Sequence, residues 1–161
     1  MSTILCIEDE AELRRDIAEE LADAHYDVYQ ARDGGEGLEM ILKYKPDLVL
    51  CDVNMPCKNG YELLREIREK YVLFAEMPFI FLSALAGREH VLDGLRKGAD
   101  AYLTKPIDFE ILLATVDASI RQMERIQQKR EQMSELGAYL ASLRQWDHIK
   151  KRRKQNLKLE I

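Results

Sequence analysis

The sequence predicts a doubly wound α/β domain built on a five-stranded parallel sheet with helices on both faces, extended by a long C-terminal helix. Two observations carry that expectation. Short β-favouring apolar runs alternate five times with stretches of helical spacing within about 120 residues. The run DLVLC at Asp47–Cys51 is nearly all apolar, as befits a parallel strand buried on both faces. Parallel strands need crossovers, and right-handed crossovers place helices on both sides of the sheet.

The elements follow in order. Thr3–Ile7 (TILCI) is the first strand, with acidic residues directly after it. Leu13, Ile17 and Leu21 recur every four residues and predict a helix from Glu10 to Ala24. Tyr26–Ala31 reads as the second strand. Asp33 can cap a helix that runs to Tyr44 and ends at Lys45-Pro46. Asp47–Cys51 is the third strand, followed by a loop from Asp52 to Gly60. Leu64, Ile67 and Tyr71 give helical spacing over Tyr61–Tyr71. Pro78–Ser83 is the fourth strand, and a helix over Arg88–Lys97 closes at Gly98. Ala101–Thr104 is a short fifth strand, Lys105-Pro106 a turn, and Asp108 a cap for the last helix.

That last helix has no stop signal. Its apolar positions continue through Met123, Ile126, Met133 and Leu140 on one heptad seam, interrupted by Arg130 and Gly137. Leu136, Tyr139, Leu143 and Trp146 form a second seam in shifted register. Charge separates the two parts. Residues 1–120 hold 13 Lys/Arg and 24 Asp/Glu, whereas residues 121–161 hold 11 and 5. The expected organisation is a domain over 1–120 and a basic helical extension over 121–161.

Of the 161 residues, 47% are hydrophobic and 33% charged, an ordinary water-soluble balance. No apolar run approaches the ~18 residues of a membrane span. The first strand starts at once, so no signal peptide is expected. Cys6, Cys51 and Cys57 lack zinc spacing, and a disulfide framework is not expected. Together these predict a cytoplasmic protein.

The candidate chemistry lies after the strands. Glu8-Asp9-Glu10 follows the first, Asp52 the third, Ser83 ends the fourth and Lys105 follows the fifth. In a parallel sheet these ends share one edge, where function gathers. Clustered carboxylates repel, and an all-oxygen site with few protein ligands suits Mg²⁺, with Mn²⁺ an alternative. A carboxylate can act as a nucleophile and form an aspartyl-phosphate. A lysine and a hydroxyl could then hold the phosphoryl oxygens. The plainer reading is that Glu8-Asp9-Glu10 only caps the next helix.

The ordered set Glu8-Asp9, Asp52-Val-Asn-Met-Pro56 with Gly60, Ser83-Ala84 and Tyr102-Leu-Thr-Lys105-Pro106 resembles the receiver domain of bacterial two-component response regulators. The resemblance covers residues 3 to about 120. It implies a CheY-like, flavodoxin-like sheet of order 2-1-3-4-5. It implies that Asp52 is the phosphoacceptor and that Lys105 and Ser83 hold the phosphoryl group. Asp9 would ligate Mg²⁺ directly, Glu8 would help, and Asn54 would contribute its backbone carbonyl. Ser83 and Tyr102 would act as the switch pair, and Lys105-Pro106 would be cis. The partner would be a sensor histidine kinase or a phosphotransfer protein. The output face would be that of the fourth helix, fifth strand and fifth helix. The domain would promote only its own phosphorylation and dephosphorylation rather than act as a turnover enzyme.

Three readings of the extension stay open: a helix that pairs two copies, a linker to an output domain, or a basic segment for an acidic partner. A homodimer through this helix, through the output face or through both is the preferred expectation. No DNA-reading unit fits the remaining residues, so nucleic acid is not an expected partner. Two rivals stand beside the switch. One is a phosphatase with an aspartate nucleophile, but its general-acid position two residues on is Asn54. The other is an inert scaffold, which the intact Asp9, Asp52, Ser83 and Lys105 oppose.

Overall fold

The computed structural model describes residues 1–159. Five parallel strands lie in the order β2-β1-β3-β4-β5. They are β1 (Thr3–Ile7), β2 (Asp27–Ala31), β3 (Leu48–Asp52), β4 (Phe79–Ser83) and β5 (Ala101–Thr104). Between them run α1 (Ala11–Asp23), α2 (Gly34–Tyr44), α3 (Gly60–Lys70) and α4 (Arg88–Arg96), and α5 (Phe109–Leu159) follows β5. This is the flavodoxin-like, doubly wound sheet with a long C-terminal helix.

The pleat sorts alternate strand residues to opposite faces. Leu5, Ile7, Val49, Cys51, Phe79 and Phe81 face one core with Ile41 of α2 and Leu63, Leu64 and Ile67 of α3. Ile4, Cys6, Leu48, Leu50, Ile80 and Leu82 face the other, with Ile17 and Leu21 of α1 and Leu112, Val116 and Ile120 of α5. β3 and β4 are buried at every position, which is why their sequences show no alternation.

Caps set the helix starts. Asp33 and Asn59 accept hydrogen bonds from the backbone N–H of Glu36 and Glu62, each 2.9 Å long. Asp108 accepts from the N–H groups of Glu110 and Ile111. α2 ends where Lys45 turns left-handed at φ 50° before Pro46.

Several boundaries differ from the sequence expectation. β3 includes Asp52, which pairs with Leu82 of β4 rather than opening the loop. Asp47 lies outside the strand because its carboxylate accepts from Thr3 N–H at 2.7 Å. The helix expected from Tyr61 starts at Gly60, because Asn59 supplies the cap. A 3-10 turn over Val72–Phe74, which the sequence did not announce, joins α3 to β4.

The chain divides into two compact units, residues 1–121 and residues 122 onward. The second is helical through Leu159 and exposes Met133, Leu136, Tyr139, Leu140, Leu143 and Trp146. No helix among the described residues is long and apolar enough to cross a membrane.

Candidate functional site

Most polar side chains of the first unit reach water, but Glu8, Asp52 and Ser83 are buried. All three sit at the carboxyl edge of the sheet, just past β1 or at the ends of β3 and β4. Each is held in place by the strand that precedes it. Lys105 arrives from the end of β5, where its N–H donates to the Ser83 carbonyl at 2.8 Å. The Lys105-Pro106 peptide is cis.

The Lys105 ammonium lies 2.8 Å from Glu8 Oε2 and 3.3 Å from Asp52 Oδ2. One cation therefore serves two buried carboxylates. Glu8 Oε1 accepts from Glu10 N–H at 3.1 Å, and Asp52 Oδ1 accepts from Asn54 N–H at 3.3 Å. Oε2 of Glu8 meets the ammonium as an ion pair but has no partner aligned for a hydrogen bond. Glu10 occupies the N-cap position of α1 without a side-chain capping bond. The acidic run is thus not accounted for by capping.

Burial and mutual repulsion leave their mark on ionisation. Burial pushes the Glu8 carboxyl up to about 7, and the Asp52 charge adds to that. Asp52 is also raised, chiefly by burial, with the nearby Asp9 carboxyl adding and Lys105 opposing. Burial pulls Lys105 down, but its pairing with Glu8 and Asp52 outweighs this and holds its ammonium charged.

Glu8, Asp9 and Asp52 each offer a carboxylate oxygen, and the three lie within 4.8 Å of one another. Asp9 is exposed while the other two are buried. This all-oxygen set of three carboxylates, with Glu8 Oε2 lacking an aligned hydrogen bond, fits a small hard cation with several waters left in its shell. Asn54 is the loop residue whose amide already contacts Asp52, so its backbone passes the same place.

The structure brings Glu8, Asp9, Asp52, Asn54, Ser83 and Lys105 to this edge, while Tyr102 lies within β5 opposite Phe81. Ser83 Oγ accepts from Leu85 N–H at 3.1 Å. The Tyr102 hydroxyl donates to the Leu85 carbonyl at 3.0 Å. Leu85 therefore links the two. Gly60 is needed for space rather than for a left-handed φ: a Cβ there would lie 2.6 Å from the Asp52 carbonyl oxygen.

Two further residues shape the site and were not read from the sequence. The Tyr102 ring packs over Gly94 of α4, where a Cβ would come within 2.6 Å of Cδ2. Tyr61 packs edge-on against Phe81 at 4.9 Å, and Phe81 in turn meets Tyr102 at 6.4 Å. Burial, with Tyr102 and Asp93 beside it, pushes the Tyr61 phenol up to about 12. The only sequence signal for these residues is a glycine inside a helix, which commonly has a packing reason.

A family model for the response regulator receiver domain matches residues 4–117. The chain belongs to that family. Solved structures agree. A response regulator receiver domain from Francisella is 29% identical with a TM-score of 0.72, over 76% of this chain and 99% of that one. The chemotaxis response regulator CheY4 of Vibrio cholerae is 31% identical with a TM-score of 0.69, over 74% and 98%. The receiver domain of a signal transduction histidine kinase from Syntrophus aciditrophicus is 29% identical with a TM-score of 0.71, over 78% and 94%. The protein is a receiver of two-component signalling. These matches cover the receiver and leave the extension without a counterpart.

Proposed function

We propose that this receiver is a phosphorylation-controlled switch in which Asp52 accepts a phosphoryl group from a histidine kinase or a phosphotransfer protein. The observation that carries the reading is the shared cation: Lys105 stands against Asp52 and Glu8 at the end of the central strand. A purely structural ion pair needs one carboxylate, not a buried cluster that costs stability.

Glu8, Asp9, Asp52 and the Asn54 carbonyl would hold Mg²⁺, and a related divalent ion such as Mn²⁺ would fit the same oxygens. When bound, the ion offsets the charge of the carboxylates and of the incoming phosphoryl group. The chain's own groups perform the rest. An Asp52 oxygen bonds to phosphorus as the N–P bond of the donor phosphohistidine breaks. The electron pair of that bond leaves with the imidazole nitrogen, and nothing is oxidised or reduced. Lys105 pairs with the phosphoryl oxygens. Ser83 Oγ already accepts from Leu85 N–H, so its own O–H is the group available to donate to the phosphoryl oxygen.

A phosphoryl group adds about −1.5 to −2 of charge. Any movement of Ser83 toward it is felt by Leu85, and through the Leu85 carbonyl by Tyr102. That route couples Asp52 to the face of α4, β5 and α5. Phosphorylation then biases two pre-existing arrangements of this face. The domain promotes its own phosphorylation and dephosphorylation without turning over an external substrate. The residues beyond 121 serve as a segment through which two copies pair.

Radiolabelled acetyl phosphate with Mg²⁺ tests the central step. The wild-type protein is expected to take up label, and Asp52→Asn, still folded, is expected to take up none. Equal labelling of Asp52→Asn would contradict the assignment.

A further inference from the structure

The loop between β3 and α3, residues 53–59, carries Asn54 past the Asp52 carboxylate. Gly60 N–H closes its base by donating to the Val53 carbonyl at 2.9 Å. Val53 and Met55 are buried in the core on the α2 and α3 side of the sheet. The far end of the loop makes a tight turn, in which Lys58 N–H donates to the Pro56 carbonyl at 2.9 Å across Cys57. Cys57 sits at φ 69°. A three-residue turn with a positive φ at its centre is the rare, strained form. Glycine adopts such a φ freely, and cysteine does not. A residue strained in this way persists only where its surroundings over-determine it.

The constraint comes from the next residue. Lys58 rests against the backbone of Gly34 at the start of α2. A Cβ on Gly34 would lie 2.6 Å from the Lys58 carbonyl oxygen and 3.0 Å from its Cβ. The Lys58 ammonium pairs with Glu66 of α3, and the two side chains are only 27% and 21% exposed. Glu66 also meets Lys70, one turn further along α3, at 3.6 Å. Lys58 thus ties the far end of the loop to two helices at once. An exposed pair within one helix does little. This pair joins a loop to a helix and is largely shielded from water.

We infer that Lys58 is a positioning residue for the site: through Gly34 and Glu66 it holds the 53–59 loop, and with it the Asn54 carbonyl, in place for the cation beside Asp52. This rests on reading the carboxyl edge as a Mg²⁺ site and adds the residue that sets its loop. The Lys58 ammonium is committed to Glu66, so it acts through the backbone rather than as a second cation of the site. Removing a group that orients metal ligands from outside typically costs about 10–100-fold in metal affinity.

A Mg²⁺ titration of the full chain at constant ionic strength, followed by the amide resonances of Asp52 and Asn54, tests this. Lys58→Met keeps the stem against Gly34 and removes the charge, and Glu66→Gln removes its partner. Each is expected to weaken Mg²⁺ binding about tenfold. The double variant is expected to weaken it no further than either alone, because one interaction is lost in all three. A long-range field gives a different pattern. Losing a cation would then tighten Mg²⁺ binding in Lys58→Met, whereas losing an anion would weaken it in Glu66→Gln. A merely structural pair would lower the denaturation midpoint and leave the Mg²⁺ affinity of the folded protein unchanged. Unchanged affinity, opposite shifts in the two variants or fully additive losses would overturn the proposal. A wild-type protein that binds no Mg²⁺ would overturn instead the reading of the site on which it rests.

Discussion

The two edges of the sheet are both polar, yet they treat their charges in opposite ways. At the amino edge, Arg68 at the end of α3 donates to the carbonyls of Phe74, Ala75 and Met77 and pairs with Asp100 at 3.3 Å. Asp100 also accepts from Phe79 N–H at 2.8 Å, and Asp47 accepts from Thr3 N–H. Each charge there pins a strand start or a turn. At the carboxyl edge, two buried carboxylates share one lysine with a third carboxylate beside them, and Glu8 Oε2 lacks an aligned donor. A satisfied polar cluster holds structure, whereas an unsatisfied one stores a need for a ligand.

That contrast can be broken by substitution. Arg68→Ala removes a half-buried guanidinium, takes a donor from the carbonyls of Ala75 and Met77 and takes the ion pair from Asp100, which keeps its bond from Phe79 N–H. It is expected to cost about 1–3 kcal/mol in chemical denaturation, on the scale of leaving part-buried carbonyls without a donor. Mg²⁺ affinity of the folded fraction should not change. A large loss of Mg²⁺ affinity would mean the two edges are not separable.

At the carboxyl edge the sign reverses, because a cation relieves strain there. Mg²⁺ at about a hundredfold excess over its dissociation constant should stabilise the protein by about 2.7 kcal/mol. Without metal, pH exposes the same conflict. The Glu8 carboxyl rises from 4.5 in the unfolded chain to about 7 when folded. The folded state therefore holds more protons in that window. Its contribution to stability is present at low pH and is lost as pH rises toward 7. Glu8→Gln should flatten that part of the metal-free stability profile, measured by thermal unfolding at a series of pH values. An unchanged profile would show that Glu8 is not the strained group.

A smaller effect probes the relay away from both edges. Gly94→Ala puts a Cβ into the Tyr102 ring, and overpacking of this kind costs about 1–3 kcal/mol. A ring can turn away more cheaply than backbone can move. The expected outcome is therefore a displaced Tyr102, seen as shifted aromatic resonances of that side chain, with the fold intact. Unmoved resonances would mean that the ring does not depend on the space above Gly94.

Much of this was legible in the sequence because strand and helix alternate so regularly. Once the strand ends are placed, Asp9, Asp52, Ser83 and Lys105 must share an edge. The caps Asp33 and Asp108 were legible for the same reason, since both act locally. Glu8 was harder. Its burial depends on how β1 ends against Lys105 from β5, a contact about a hundred residues away. Gly60 stood in the motif without a stated reason, and the reason is space beside the Asp52 carbonyl. Gly94, Tyr61 and Arg68 act only through partners brought together by packing, and beyond a glycine inside a helix no local pattern announces them.

The central claim is that the carboxyl edge is built to be completed by a phosphoryl group on Asp52. Beryllofluoride, a stand-in for that group, tests this most directly when added with Mg²⁺ and followed by amide resonances. The account predicts saturable shifts at Asp52, Ser83, Leu85 and Tyr102, spreading to α4 and β5, with Arg68 and Asp100 still. A folded protein with no shifts at Asp52 and Ser83 would contradict it.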